Sequence, residues 1–102
     1  MKHAIVYARD AVRDLDRIWE EVFSSSQDYD TTALYLEELQ DKIEAKRDYP
    51  QSGIPLYYRE NFTGYYFVRH KAYLAFYRWN DTVMFVDRIL YGKSDYMSIL
   101  DI

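Results

Sequence analysis

The chain has 102 residues, with 13 Lys+Arg against 17 Asp+Glu, no Cys, 3 Gly and 2 Pro, enough for one domain (residues 1–102) with one modest core. The longest unbroken apolar run, Ala72 to Tyr77, is six residues, far below the ~20 that span a bilayer, so no membrane role is expected. The absence of Cys excludes disulfides, thiol nucleophiles and thiolate metal sites, and the net charge of −4 speaks against a broad nucleic-acid footprint. That charge is uneven: residues 1–49 carry 7 basic and 12 acidic side chains, residues 50–102 carry 6 basic and 5 acidic. Any anion-binding surface therefore belongs to the second half.

His3–Ala8 is short and partly β-branched and reads as a strand. Asp10 is positioned to cap a following helix, on which Val12, Leu15, Ile18, Trp19, Val22 and Phe23 recur at spacings of three and four as one apolar stripe. Ser24–Gln27 ends it. Asp30, Thr31 and Thr32 offer caps for a second helix running to about Asp48, with Ala33, Leu36, Leu39 and Ile43 on its inner face, and Pro50 stops it. The two form a helical hairpin. Pro50–Asn61 holds both prolines and one glycine and reads as a connecting loop. Three strands follow, at Gly64–Lys71, Tyr73–Trp79 and Thr82–Tyr91, the last two joined by a tight turn at Asn80-Asp81. The order predicts an α+β fold: an N-terminal strand, a helical hairpin, then an antiparallel three-stranded meander.

Little in this chain suggests bound cofactors. The glycines at 53, 64 and 92 are too scattered for a phosphate loop, and His3 and His70 have no metal-type spacing to carboxylates, so neither metal nor cofactor is expected. The carboxylates Asp14/Asp16, Glu20/Glu21 and Glu37/Glu38 read as solvated helix faces. The informative cluster is basic and aromatic. Arg69, His70 and Lys71 end one strand, Arg78 lies late in the next, and Arg88, Tyr91 and Lys93 lie on or just after the last. Strand ends of a meander can converge into a patch whose Arg forks bind phosphate or carboxylate and whose Tyr stacks on a base. The plainer alternative pairs Arg78 and Arg88 with Asp81 and Asp87. His70 is a candidate acid/base because its ordinary pKa is near neutral. Apolar residues also fall on both faces of the meander, with Tyr66, Val68, Leu74 and Phe76 set against Tyr65, Phe67, Tyr73 and Tyr77. One helical hairpin cannot cover both faces, so a partner segment or a homodimer is expected to cover the other.

The strand–helix–helix–three-strand order, the segment RDAVRDLDRIWEEV and the ending YLAFYRWNDTVMFVDRILYGKSDYMSIL resemble the RelE/ParE superfamily of bacterial type II toxin–antitoxin systems. Val86–Asp95 (VDRILYGKSD) is the most specific part, and the likeness spans nearly the whole chain. The resemblance implies a small cytoplasmic toxin of a plasmid-stabilisation module that inhibits growth and is neutralised by a cognate antitoxin, with Leu74 and Phe76 as antitoxin-binding positions. It also implies one of two targets. A ParE-like toxin acts on DNA gyrase without being an enzyme; a RelE-like one is a ribosome-dependent mRNA endoribonuclease. For the second, the catalytic candidates here are Arg69, His70, Arg88 and Tyr91; Lys71, Arg78 and Lys93 are target-binding candidates in either case. The chain departs from the RelE-like pattern at Leu74, at Tyr65 and Phe67, and at Ser94, where that branch places cations. Each such loss removes roughly 2–4 kcal/mol of transition-state stabilisation, which favours the ParE-like reading. A non-toxic binding domain is the remaining alternative.

Overall fold

The computed structural model describes residues 2–102. The chain forms β1 (Ala4–Tyr7), α1 (Arg9–Ser26), α2 (Tyr29–Glu44), a 3-10 turn at Pro50–Ser52, β2 (Ile54–Tyr58), β3 (Asn61–His70), β4 (Tyr73–Trp79), β5 (Val83–Tyr91) and a short α3 (Tyr96–Ile99). The sheet order is β1-β5-β4-β3-β2. β1 runs parallel to β5, and every other pairing is antiparallel. This is the expected α+β architecture, with a fifth strand added. No helix among the described residues is long and apolar enough to cross a membrane.

The added strand corrects the expectation of a loop over Pro50–Asn61. β2 lies at the sheet edge, where Pro55 is tolerated because an edge strand leaves backbone positions unpaired. The pairing of β2 with β3 shifts between Pro55 and Tyr57, and the Leu56 carbonyl at this irregularity accepts from Thr63 Oγ1 at 2.8 Å. The preceding turn is held from inside the core: the fully buried Tyr77 donates its hydroxyl to the Pro50 carbonyl at 2.6 Å. A Cβ on Gly53 would lie 1.9 Å from that hydroxyl oxygen, so the chain passes there only as glycine.

Helix ends differ from the expected caps. α1 starts after Ala8, which provides no side-chain cap, and Asp10 sits in the first turn. α2 is capped by Asp28, whose carboxylate accepts from Thr31 N–H at 2.9 Å, rather than by Asp30, Thr31 or Thr32. The Thr31 hydroxyl, which donates to the same carboxylate, and then this N–H hold the Asp28 carboxyl below its ordinary range. The Asn80 side chain accepts from the N–H groups of Thr82 and Val83, as its place in the β4–β5 turn predicts.

The hairpin packs on one sheet face. Ala11, Ile18, Leu36, Leu39 and Ile43 meet Tyr73, Ala75, Tyr77, Met84, Val86 and Ile89 in one buried cluster, with Tyr66 and Val68 at its margin. The register Phe67↔Phe76 places Tyr65 and Phe67 with Leu74 and Phe76, not with Tyr73 and Tyr77, which corrects the face grouping expected from strand parity. On this second face Leu56, Leu74, Phe76 and Leu90 form a separate buried cluster roofed by Tyr96, Met97 and Leu100. The protein's own tail therefore covers part of the surface expected to be bare. Leu74 and Phe76, the expected antitoxin-binding positions, are 3% and 0% exposed, so a partner reaches them only where the tail is displaced.

The β2–β3 turn is a local weak point. Arg59 and Glu60 take φ of 50° and 72°, the left-handed pair of a type I′ turn, which costs a non-glycine residue roughly 1–2 kcal/mol each. Replacing them with Asn-Gly should raise stability by about 1 kcal/mol after the extra entropy lost by glycine, read as a higher urea midpoint with an unchanged m value.

Candidate functional site

Asp14 organises the region from which the candidate cations project. On α1 it lies between Ala11 and Ile18, one turn from each, and all three are buried. Its carboxylate accepts from Arg88 Nε at 2.8 Å and Nη2 at 3.0 Å, from Arg17 Nη1 at 2.9 Å and from the Ile89 N–H at 2.8 Å. Arg17 also donates to the Ile89 carbonyl at 3.2 Å. β1 pairs with β5 only over Val83–Val86. Beyond that point, Asp14 and Arg17 take the place of a strand, satisfying both backbone groups of Ile89.

Arg88 reaches Asp14 because β5 carries an extra residue. Phe76 pairs with Arg88 and Tyr77 with Val86, leaving Asp87 unpaired, and such a bulge re-aims neighbouring side chains. Asp87 accepts from Arg78 Nε at 2.7 Å and from the Tyr65 hydroxyl at 3.0 Å, while Arg88 turns to α1. The hydrogen bonds Arg88 donates to Asp14 hold its pKa above the ordinary value, and the one Arg78 donates to Asp87 does the same. The alternative pairing with Asp81 and Asp87 is corrected: Arg78 pairs with Asp87, Arg88 pairs with Asp14, and Asp81 forms no ion pair among the described residues. Arg88 is thus occupied structurally, and Arg78 is already neutralised.

His70 is 2% exposed. Its ring meets Tyr35 edge-on at 5.0 Å, and neither ring nitrogen has a hydrogen-bond partner. Burial pushes its pKa down, Lys42 and Lys71 push it further, and Glu38 opposes them. A proton carrier needs reach to a substrate atom; this imidazole lies beneath α2, closed off from solvent.

The remaining candidates do converge. The Gly92 N–H donates to the Ala72 carbonyl at 2.8 Å, which joins the end of β5 to the turn between β3 and β4. Arg69, Lys71, Tyr91 and Lys93 all lie at this end of the sheet, and all are exposed. The Arg69 guanidinium runs alongside Gly92. Lys71 lies 5.0 Å from the Tyr35 ring centroid, and Tyr91 meets Tyr73 edge-on at 6.1 Å. A turn closed by Ser94 onto the Tyr91 carbonyl brings Lys93 to the same end. Among the described residues, none of Arg69, Lys71 and Lys93 forms an ion pair. The result is a patch of three uncommitted cations beside an exposed tyrosine, suited to carboxylate or phosphate groups on a partner. Arg78 lies at the far end of β4, away from it. No cluster of His, Asp or Glu among the described residues has metal-binding geometry.

Sequence reading missed Asp14, which it placed on a solvated helix face. The signal was present: Ala11, Asp14 and Ile18 share the spacing of one helix face, and a carboxylate within such a line needs a buried donor.

The chain matches the family model described as ParE toxin of type II toxin-antitoxin system, parDE, over residues 5–96. Two solved structures are similar in fold. A chain of the chromosomal ParDE toxin–antitoxin system from P. aeruginosa superposes with a TM-score of 0.72 at 13% identity, covering 88% of this chain and 96% of that one. A chain of the RelBE2 toxin–antitoxin complex from Mycobacterium tuberculosis gives a TM-score of 0.63 at 17% identity, covering 92% and 95%. Among curated proteins, none matches significantly by sequence.

Two outcomes follow from this geometry. Asp14→Ala leaves the Arg88 guanidinium and the Ile89 N–H without their acceptor and should cost about 3–5 kcal/mol, measured by urea denaturation; Asp14→Leu combined with Arg88→Met should cost less. For His70, the unfolded chain takes up a proton near pH 6.5 while the folded state resists it. Its stability contribution is therefore complete above that pH and declines as pH falls from 6.5 toward the lower folded value. His70→Phe should flatten that part of the curve between pH 7.5 and 5.5.

Proposed function

Because this chain belongs to the ParE toxin family of type II toxin–antitoxin systems, we propose that it inhibits DNA gyrase in the cytoplasm by binding rather than by catalysis, with the cationic end of the sheet as its target-contacting surface. The observation that carries this reading is the commitment of His70 and Arg88 to the interior. Of the four residues available for nuclease chemistry, one is a buried imidazole and one is held by Asp14. That leaves Arg69 and Tyr91 with no acid/base group beside them. Arg69, Lys71 and Lys93 still offer positive charge to an acidic protein surface, and such contacts speed and orient association even where they add modest affinity. Leu74 and Phe76 remain antitoxin-contact positions in this reading only if the C-terminal tail gives way to the antitoxin. Growth inhibition and stabilisation of a plasmid follow from the same activity when the antitoxin is lost.

The test is a supercoiling assay with purified gyrase. The protein should abolish supercoiling as it approaches the enzyme concentration, and Arg69→Ala with Lys93→Ala should raise the concentration required about tenfold, equivalent to ~1.4 kcal/mol. Thermal unfolding of the variant should match the parent, because neither side chain supports the fold. Unaltered supercoiling at excess protein, together with mRNA cleavage seen by toeprinting on translating ribosomes, would replace this reading with the endoribonuclease one. Normal growth on expression without an antitoxin would leave a non-toxic binding domain.

A further inference from the structure

The edge formed by β2 and its turn into β3 is unlike the rest of the surface. Between Tyr49 and Tyr66 the chain carries only two charges, Arg59 and Glu60, adjacent and of opposite sign, against 29% charged residues in the chain as a whole. In the same stretch Ile54, Tyr57, Tyr58 and Phe62 expose their apolar side chains. Single exposed apolar residues need no explanation, but these four share one strand and its hairpin partner. β2 is also the outermost strand of the sheet, and its sequence, IPLYY, holds no Lys, Arg, Asp or Glu. Charged side chains are the usual device that keeps a free strand edge from pairing with another chain. Here Pro55 removes one N–H donor, which shortens such a pairing without abolishing it.

The patch is held in place from the core. The Tyr57 ring meets Phe62 at 5.8 Å, Phe62 meets Tyr66 at 5.5 Å, and Tyr66 meets Trp79 at 4.6 Å; Tyr66 and Trp79 pack against the main buried cluster. A surface ordered in advance loses little entropy on association. Beside the rings, Phe62, Gly64, Tyr66, Arg78 and Trp79 line an open cleft of about 330 Å³. Gly64 takes a φ of 92°, and a Cβ there would meet nothing within 4 Å, so the cleft has room for a side chain from outside. Charge and area select the occupant. The chain carries a net charge of −4, and like charge opposes the approach of two copies over most of the surface; at the β2 edge they meet without it. The edge offers both protruding rings and a cleft, the self-complementary form that a two-fold contact requires. Its exposed apolar side chains offer roughly 500 Å² per copy, against about 800 Å² in a standard interface, which fits a reversible dimer rather than an obligate one.

We propose that two copies of this chain associate through their β2 edges, antiparallel about a two-fold axis, joining the two sheets into one and packing Ile54, Tyr57, Tyr58 and Phe62 of each copy across the junction. The β2–β3 turn lies at the opposite end of β3 from Lys71, so antiparallel pairing sets the two cationic sheet ends on opposite sides of the dimer and leaves both open. The contact consumes the β2 edge of each copy, so assembly stops at two. The dimer does not depend on which target the cationic ends bind.

The test uses the full chain alone. Sedimentation velocity should show monomer passing to dimer between about 1 and about 100 μM, with no larger species. Raising the salt from about 0.1 to about 0.5 M should preserve or strengthen the dimer, because apolar contact is not screened. Ile54→Lys with Tyr57→Lys changes two side chains that are more than half exposed; the variant should stay monomeric to at least tenfold higher concentration with an unchanged circular dichroism spectrum. A second measurement avoids charged substitutions. The parent has no cysteine, so Tyr57→Cys should be joined into a dimer by a short bismaleimide linker, whereas Val12→Cys, exposed on α1, should not. A parent that is monomeric throughout the range overturns the proposal. So does dimerisation undiminished in the lysine variant, or a dimer that dissolves at high salt, which would assign self-association to the cationic sheet end of one copy against the acidic helices of another. Gyrase inhibition is read in a separate assay, so failure of the dimer leaves the toxin reading standing.

Discussion

A single buried carboxylate determines which charges on this protein are free. Asp14 receives four hydrogen-bond donors from two side chains and one backbone amide, and it does so where the sheet would otherwise be incomplete. β1 is four residues long and β5 nine, so over half of β5 lacks a neighbour on that side. An unpaired N–H and C=O under a helix would carry a desolvation cost comparable to a lost hydrogen bond apiece. The Asp14–Arg17 pair removes that cost at Ile89 from the side of the helix, which also fixes how α1 lies across the sheet. Burying the carboxylate is itself unfavourable, and it becomes tolerable only because Arg88 meets it with a two-pronged contact.

The bulge at Asp87 makes this arrangement possible and has a second consequence. With one extra residue in β5, consecutive acidic and basic side chains diverge, Asp87 toward Arg78 and Tyr65 on the tail side, Arg88 toward Asp14 on the helix side. Both faces of the sheet gain an ion pair at the same level, and both pairs consume cations from the acidic-poor half of the chain. Of the other four cations of that half, Arg69, Lys71 and Lys93 lie at one end, where β3, β4 and β5 meet at the Lys71-Ala72 turn, and Arg59 lies in the β2–β3 turn at the other. The loss of Arg78 and Arg88 from the free charge is therefore a by-product of how the sheet edge is completed.

Much of this was legible in the sequence, for identifiable reasons. The two helices were visible in their apolar stripes, and β3, β4 and β5 in their aromatic and β-branched runs, because those residues are both good formers of the element and buried by it. β2 was not visible. IPLYY contains a proline and follows a glycine, and its turn, Arg59-Glu60, lacks the Asn-Gly signal of a type I′ hairpin; pairing with β3 and burial of Leu56 override the local chemistry. The convergence of Arg69, Lys71, Tyr91 and Lys93 could be anticipated from antiparallel strand ends, whereas the fate of Arg88 and His70 could not. Their surroundings are set by Asp14, 74 residues away from Arg88 in sequence, and by Tyr35 on α2. The tail was equally opaque: Tyr96, Met97 and Leu100 look like a mixed terminus until Phe76 and Leu90 are seen beneath them.

The two open surfaces differ in character, and this separates their partners. The sheet end offers three cations without counter-ions; the β2 edge offers exposed rings and almost no charge. At physiological salt, exposed charges are screened beyond ~8 Å, so each surface acts chiefly on a ligand seated against it. An acidic target is steered to the sheet end and finds nothing to pair with at the β2 edge. A second copy experiences the reverse, since the sheet ends of two copies repel each other while their β2 edges do not. A copy that binds the edge need not compete with the target for the same contacts, so the dimer and the target complex are free to coexist.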